Sequence, residues 1–257
     1  MKGYAMSVNA EEKTDEAEFF APDYETRKSG VLVKPRITPC GSSGFLFEAE
    51  GEMCLPTQEK IWKLTRSLLN QDFVLDAQAG MNNLLIITDG SLNAGDDLPA
   101  YLLNQWAELR PGWESHTALE IPVVYGGEYG CDLENLAAVH GMTPRDVATL
   151  HSAVEYVVFA PGTIPGFGYL FGLDPRLATP RRDVPVTRKA NATLLIGGAQ
   201  TNISPPKKAG RSENSVTGWH AIGHAPVVPD PFDLQRQPPE LVSPGDRIRF
   251  LLTDVIA

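Results

Sequence analysis

The stretch GTIPGFGYLFG, residues 162–172, says more about the fold than any other part of the chain. It holds four glycines, one proline and three aromatic residues. Glycine permits tight turns and close approach of a ligand to the backbone, proline stiffens the loop, and aromatic rings add large apolar faces. Because the stretch follows an apolar, strand-like run at 154–160, it indicates either the wall of a binding site or an ordered loop that covers a β-core.

The rest of the C-terminal half is typical of a β-barrel or β-sandwich. After Ser152, strand-like runs alternate with loops rich in proline and glycine, and no convincing helical pattern follows. The predicted strands are 154–160, 193–197, 219–223 and 247–253. Residues 207–216 form a polar insertion between strands, which we expect to be mobile.

Two short helices are predicted ahead of this barrel. The first, 133–140, would be capped by Asp132 and ended by Gly141. The second begins at Pro144 with a capping box, in which Thr143 supplies the hydroxyl and Asp146 the acid. We therefore expect residues 128–257 to form a cyclophilin-like β-barrel domain with two short leading helices, the cyclophilin-like assignment resting on the family resemblance given below.

Residues 29–127 mix helices and strands. Helices are predicted to start at Pro56 and after a cap at Asp97. The strands are predicted at 31–37, 45–49, 73–77, 84–88 and 119–125. This order favours an α+β domain with the connectivity of a ferredoxin-like sandwich.

The first 28 residues are polar and rich in acid. Five carboxylates lie close together, at Glu11, Glu12, Asp15, Glu16 and Glu18. We expect an acidic disordered tail over residues 1–28, part of which the pair Phe19-Phe20 could anchor to the body of the protein.

Composition disfavours several classes of function. A formal net charge of −10 disfavours nucleic acid as a partner, because phosphate binding needs a basic surface. We find no apolar run long enough for a membrane helix and no signal peptide, so we expect a cytoplasmic protein with no membrane partner. The three cysteines lack metal-ligand spacing, and neither a disulfide framework nor a structural zinc site is expected.

Candidate binding residues lie in the C-terminal half. The segment 174–182, DPRLATPRR, brings three arginines to a proline-stiffened loop, and guanidinium groups suit carboxylates and phosphates. The segment 197–201, GGAQT, ends a strand with two side chains that can hydrogen-bond an amide. With the aromatic loop, these segments would form an anion-and-amide pocket with apolar walls. The alternative is that the arginines form surface ion pairs and Gln200 satisfies backbone groups.

Motifs for several other chemistries are absent. The sequence contains no phosphate-binding P-loop, no dinucleotide fingerprint, no zinc-protease motif and no esterase elbow. His220 and His224 would share one face of a strand, but a third ligand is not evident, so no metal site is expected.

The same residues resemble those of the KipI family, whose members are also called allophanate hydrolase subunit 1 or the B subunit of 5-oxoprolinase. The family pattern GFAPGFPYLGGLD is similar to residues 162–174, LATPR to 177–181 and GGQT to 198–201. GGWQLIGRTP is similar to the segment that ends at Pro226, and PGDRVRF to 244–250. These matches keep their order along the chain, which makes the resemblance specific.

The resemblance implies an α+β domain followed by a cyclophilin-like β-barrel, and a KipA-like partner subunit. It implies ATP-dependent opening or carboxylation of a small amide or lactam. ATP with Mg²⁺ would be shared with the partner, and no biotin attachment site is expected on this chain. Two alternatives stay open: a stand-alone enzyme acting on a larger, more apolar substrate, and a regulatory module that binds a protein such as a histidine kinase.

In this interpretation Arg176 and Arg181 would neutralise charge, Gln200 and Thr201 would orient an amide, and two aromatic side chains would exclude water. No catalytic residue is identified. The full set of expected substrate-binding residues is Pro165, Phe167, Tyr169, Arg176, Arg181, Gln200, Thr201 and His220.

The chain also departs from the family pattern. Gly168 stands where the family has proline, and His220 and His224 stand where it usually has glutamine and arginine. Ser42 replaces an aspartate and Val186 an arginine. The resemblance is therefore to a divergent member of the family.

Overall fold

The structure is a computed structural model that describes residues 31–91, 98–114, 118–162, 165–207 and 213–256. The expected acidic tail, the cap at Asp97 and residues 208–212 of the polar insertion lie outside these ranges. Within them, no helix is both long and apolar enough to cross a membrane.

The N-terminal unit is a four-stranded antiparallel sheet with two helices packed against it. Its strands are β1 (Arg36–Cys40), β2 (Gly44–Glu48), β3 (Val74–Ala79) and β4 (Asn83–Thr88), in the order β1-β2-β4-β3. The helices are α1 (Leu55–Leu68) and α2 (Leu98–Glu108). Apolar residues of both helices, among them Leu64 and Leu102, share one core with Phe47 and Ile86 of the sheet.

The first strand starts later than predicted. It begins at Arg36 rather than Val31, and a turn with Gly41 at a φ of 72° pairs Cys40 with Gly44. That turn sets the register in which Ile37 lies opposite Phe47. The apolar residues before Pro35 are therefore outside the sheet, and Val31 and Val33 are exposed.

The C-terminal unit begins with one strand and two helices. These are β5 (Ala118–Gly126), α3 (Leu133–Val139) and α4 (Pro144–Ser152). The capping box is confirmed: the Thr143 hydroxyl accepts from the Asp146 backbone N–H at 3.2 Å, and the Asp146 carboxylate accepts from the Thr143 N–H at 2.9 Å. Gly141, with a φ of 65°, follows the end of α3 as predicted.

Seven strands then close a barrel. The remaining strands are β6 (Glu155–Pro161), β7 (Gly168–Phe171), β8 (Val186–Lys189), β9 (Thr193–Gly197), β10 (Gln200–Ile203), β11 (Asn214–Thr217), β12 (His220–His224) and β13 (Arg247–Ile256). The barrel order is β10-β7-β6-β13-β5-β12-β9, while β8 and β11 form a separate two-stranded ribbon. The end of the polar insertion, predicted to be mobile, thus lies in strand β11.

The predicted position of the strand at 119–125 in the N-terminal unit is wrong. Strand β5 pairs in parallel with β13 and antiparallel with β12, so it is part of the barrel. Its alternate residues Ile121, Val123 and Tyr125 lie in the barrel core. Alternating polarity shows that one face of a strand is buried, but it does not show which sheet buries it.

Helix α1 joins the two units. The pairing of β6 with β7 shifts register between Val158 and Ala160, which leaves the Phe159 carbonyl turned out of the ladder. That carbonyl accepts from Gln58 Nε2 at 3.0 Å and from Trp62 Nε1 at 3.2 Å. Gln58 is fully buried, and the irregularity in the barrel strand therefore serves as the attachment point of the helix.

Candidate functional site

The aromatic loop is part of the barrel wall. Phe167 is 5% exposed and belongs to the barrel core, whereas Pro165 is exposed. Gly166 has a φ of 84°, and a Cβ there would lie 1.6 Å from the Pro231 carbonyl oxygen. The glycine thus allows the loop to pack against the segment around Pro231, and Phe167 fills the core rather than facing an open pocket.

Gly168 is tightly enclosed. A Cβ at this position would lie 2.4 Å from the Ala160 carbonyl oxygen and 2.8 Å from Val158 Cγ1. The residue pairs with Pro161 at the start of β7. In this chain the strands β6 and β7 approach so closely that a larger residue would have to displace one of them.

The two candidate segments come together as predicted. Thr179 and Gly198 form an isolated antiparallel bridge, with backbone hydrogen bonds of 3.1 and 2.7 Å. This bridge places the arginine loop beside the hairpin between β9 and β10. Arg182 then continues the contact through its backbone N–H, which donates to the Gly218 carbonyl at 2.8 Å.

A surface cluster forms at this junction, and we call Tyr169, Arg181 and Trp219 the Trp219 cluster. The rings of Tyr169 and Trp219 stack with centroids 6.0 Å apart, and Arg181 Cζ lies 4.6 Å from the Trp219 centroid. The indole ring covers Gly197, where a Cβ would come within 2.6 Å of it. Arg181 is exposed, so its guanidinium can bind an anion while it stacks on the indole.

His220 follows Trp219 in the chain and is held at the Pro180 carbonyl, next to Arg181. Its Nε2 donates to the Pro180 carbonyl at 2.9 Å, since a carbonyl can only accept. Burial lowers the pKa of His220 and outweighs that hydrogen bond, which acts in the other direction. At neutral pH the ring therefore has its proton on Nε2 and presents Nδ1 as an acceptor.

Asp132 stabilises the backbone of the cluster through Arg182, which binds both the Asp132 carboxylate and the Trp219 carbonyl. Its carboxylate, only 2% exposed, accepts from Arg182 at 2.8 Å, from Arg188 at 3.0 Å and from the Ala221 backbone N–H at 2.9 Å. Arg182 also donates to the Trp219 carbonyl at 2.7 Å. Burial raises the pKa of Asp132, but the hydrogen bonds from Arg188 and the Ala221 N–H, together with the charges of both arginines, outweigh burial and lower it.

The sequence-based role of Asp132 is wrong. Asp132 occupies the position before α3, as predicted, but its side chain makes no capping hydrogen bond. Sequence analysis also missed Arg188 entirely. The aspartate is typical of a helix cap, and its partners lie about 50 residues further along the chain, so no local pattern connects them.

Besides Pro165 and Phe167, three more expected site residues lie outside the cluster. Arg176 is bound to the neighbouring Asp174 carboxylate at 2.6 and 3.0 Å and holds the pKa of that acid at about 2. Gln200 is 5% exposed and donates to Met81 Sδ at 3.0 Å, at the contact between the two units. Neither side chain makes a hydrogen bond, ion pair or ring contact with the described residues of the Trp219 cluster. The third, Thr201, is buried in the barrel.

Thr201 belongs to a buried polar network that sequence analysis also missed. Its hydroxyl donates to the Leu195 carbonyl at 3.0 Å and accepts from His151 Nε2 at 2.8 Å. His151 Nδ1 accepts from the Tyr125 hydroxyl at 2.8 Å, while Tyr156 donates to the His151 carbonyl. Complete burial lowers the pKa of His151 to about 3, so the network is neutral and structural.

The groove between the two units contains none of these residues. It has a volume of about 520 Å³ and is lined by Thr65, Ala77, Gln78, Ala79, Pro161 and Pro244. In the ranges that the structure describes, no group of three or more His, Cys, Asp or Glu side chains is placed to hold a metal ion. We take the Trp219 cluster as the candidate site, because it brings two aromatic faces next to the exposed guanidinium of Arg181.

Known proteins resemble the chain over most of its length. It is similar to the B subunit of the 5-oxoprolinase of Escherichia coli O157:H7, with 37% identity over 211 residues that cover 82% of this chain and 93% of that protein. The protein of the same name from Haemophilus influenzae is 33% identical over 85% of this chain and 98% of its own length.

A solved structure and a family also match. The crystal structure of TTHA0988 superposes with a TM-score of 0.65 and 29% identity, covering 82% of this chain but 39% of that one, so the chain spans about two fifths of that protein. The family described as carboxyltransferase domain, subdomain C and D, matches residues 35–242. Because that match covers the sheet unit and most of the barrel, the chain belongs to the carboxyltransferase domain family, subdomains C and D.

Proposed function

We propose that the chain is the B subunit of an ATP-dependent hydrolase of the 5-oxoprolinase type, acting on a small amide or lactam in the cytoplasm with a KipA-like partner. One observation carries the proposal: the identity of 37% to a protein named as the B subunit of a 5-oxoprolinase extends over 93% of that protein. Similarity along nearly the whole of a relative supports a shared role better than a shared fold does.

The Trp219 cluster supports a small carboxylate substrate. Arg181 supplies one guanidinium group, and Tyr169 and Trp219 supply flat apolar ring faces. His220, which binds the Pro180 carbonyl next to Arg181, offers a neutral acceptor. A five-membered lactam with a carboxylate has the complementary groups, a planar ring, an N–H donor and one negative charge. We propose that Arg181 binds the carboxylate and that His220 Nδ1 accepts from the lactam N–H.

ATP fits this cluster less well. A triphosphate with Mg²⁺ needs several cations or a backbone cradle and carboxylate ligands for the metal. At the cluster, Arg182 and Arg188 are already bound to Asp132, which leaves the single guanidinium of Arg181. We propose that the partner subunit supplies most of the ATP site.

We also propose finer assignments of the fold. The order β2-β4-β3 with α1 between β2 and β3 supports a ferredoxin-like arrangement, in which the hairpin strand β1 takes the edge beside β2. The closed barrel supports the cyclophilin-like assignment. The position of β5 supports a domain boundary between Glu108 and Ala118 rather than at 127.

The test is reconstitution with the neighbouring KipA-like subunit. The two chains are co-expressed, and ATP hydrolysis is measured with 5-oxoproline, other lactams and urea derivatives. The proposal expects ATP hydrolysis that depends on one of these compounds and on both chains. If the two chains co-purify but none of these compounds stimulates ATP hydrolysis, the result would contradict the enzymatic proposal.

A further inference from the structure

His140 donates a hydrogen bond to the arginine loop, residues 174–182. Its Nε2 lies 2.8 Å from the Thr179 hydroxyl oxygen, and that hydroxyl gives its own proton to the Leu177 carbonyl at 2.9 Å. Because a hydroxyl has one proton and a carbonyl can only accept, the Thr179 oxygen must accept from the Nε2–H of His140. The backbone N–H and carbonyl of Thr179 are bound to Gly198. Every polar group of Thr179 therefore has a partner.

Helix α3 binds the arginine loop at both of its ends. Asp132, just before the helix, binds the Arg182 guanidinium at 2.8 Å, and His140, just after it, binds Thr179. The helix rises about 12 Å from Asp132 to His140. The loop spans at most about 10–11 Å from Thr179 to Arg182. The spacing of the two contacts on the helix thus matches their spacing on the loop.

The helix is itself fixed to the barrel. Leu133, Leu136 and Ala137 are each 1% exposed and belong to the barrel core. A shift of α3 would open this close-packed core, and its two ends are therefore fixed points for the loop that they hold.

Arg181 lies between the two positions of the loop that α3 holds. Its side chain is exposed and stacks on Trp219, with Cζ 4.6 Å from the ring centroid. Among the described residues, no carboxylate forms an ion pair with it. A guanidinium that is already held in place loses less conformational freedom when it binds an anion, which favours binding.

We propose that His140 is a positioning residue for the Trp219 cluster. Through Thr179 it fixes the backbone two residues before Arg181, and so keeps the guanidinium stacked over Trp219, where a carboxylate can bind. The carboxylate rests on the proposed function of the chain, whereas the stacking is a property of the chain alone and is measured separately.

Nuclear magnetic resonance of the full chain, labelled with ¹⁵N, tests the stacking. The Arg181 Nε–H signal is identified by its loss in Arg181→Gln, and Trp219→Leu gives its position without the ring current of the indole. His140→Leu should move the signal at least about halfway to that position, because the loop is then held by α3 at one point only. His140→Gln keeps an N–H donor at a similar reach and should leave the signal near its position in the parent chain.

Two further variants complete this test. Thr179→Val removes the acceptor of the same hydrogen bond, so it should act like His140→Leu, and the double variant should add nothing. Thr179→Val also decides the question if His140→Leu does not fold. Asn135→Leu, at an exposed position of α3, should leave the Arg181 signal in place. An Arg181 signal that stays in place without the hydrogen bond, or moves as far in His140→Gln as in His140→Leu, would overturn the proposal.

The reconstituted complex tests the consequence for binding. His140→Leu should raise the KM for the stimulating lactam about threefold to tenfold, with kcat and the KM for ATP unchanged within about twofold. A general loss of structure would instead lower kcat, because less of the enzyme is active, and would leave both KM values in place. An unchanged KM for the lactam would contradict the role in binding. If no lactam stimulates the parent complex, the proposed function fails, while the Arg181 signal still decides whether His140 positions that side chain.

Discussion

Gly166 is a residue where backbone conformation and close packing act together. Its φ of 84° disfavours any side chain, and its Cα faces the Pro231 backbone, which leaves no room for a Cβ. Gly41 has a similar φ of 72°, but a Cβ there would meet nothing within 4 Å. The two glycines therefore separate the cost of conformation from the cost of collision.

Replacing Gly166 by alanine should cost about 2–4 kcal/mol of unfolding free energy, since strain and collision add. Gly41→Ala should cost only about 1 kcal/mol, the strain alone. Urea unfolding of both variants measures the difference. Equal losses would show that the loop moves away from Pro231 at little cost.

Arg181 and Arg176 allow a comparable test of binding. Arg181 is stacked on Trp219 and open to an anion, whereas Arg176 is bound to Asp174. In the reconstituted complex, Arg181→Gln should lower kcat/KM at least about tenfold, because a charge-assisted hydrogen bond contributes about 1.5–3 kcal/mol. Arg176→Gln should change it less than about threefold. Similar losses in both variants would count against a role for the Trp219 cluster.

Among the elements, α1 and β6 join the two units through one buried side chain. Gln58 Nε2 donates to the carbonyls of Phe159 and Gly80, and Gln58 Oε1 accepts from the Asn82 N–H at 2.8 Å. One amide thus satisfies three backbone groups, two in the turn between β3 and β4 and one in the barrel strand β6. Few side chains other than an amide offer both donors and an acceptor in this geometry.

Gln58→Leu should cost about 2–4 kcal/mol, because it leaves buried backbone groups without partners. It should also speed proteolysis of the segment between α2 and β5. Asn104→Leu, at an exposed position of α2, should stay within about 0.5 kcal/mol of the parent chain. Denaturant unfolding and limited proteolysis measure both effects, and an unchanged cleavage rate in Gln58→Leu would show that the units are held by other contacts.

For the molecule as a whole, two buried groups, His151 and Asp132, contribute to how stability depends on pH. His151 has a folded pKa of about 3, below its unfolded value of about 6.5. The unfolded chain therefore binds the proton first, and stability falls as the pH drops from about 6.5 towards 3. Asp132 has a folded pKa below its unfolded value of about 3.9, so its contribution is present above that pH and is lost below it.

His151→Gln keeps a donor for Thr201 and an acceptor for Tyr125 but removes the titration. Between pH 6 and 5 the parent chain should lose up to about 1.4 kcal/mol more than this variant does. Urea unfolding at pH 7, 6 and 5 measures both slopes. Parallel slopes would show that His151 is not buried in the neutral form.

The elements that were predicted well depend on short-range chemistry. The capping box at Thr143, the turn at Gly41 and the apolar strands 154–160 and 193–197 are determined by residues within a few positions of one another. Side-chain chemistry alone suggested that the arginine loop and the segment 197–201 lie together, and the bridge between Thr179 and Gly198 joins them.

The order of amino acids was therefore enough to establish the helices, most strands, the family and the segments from which the candidate site is built. The folded arrangement was needed to show that β5 closes the barrel, that Asp132 binds two arginines instead of capping α3, and that Thr201 and Gln200 are buried. The difference follows from the range of the forces involved. Capping and turn formation act between near neighbours, whereas barrel closure and the pairing of buried charges join residues that are distant in the chain.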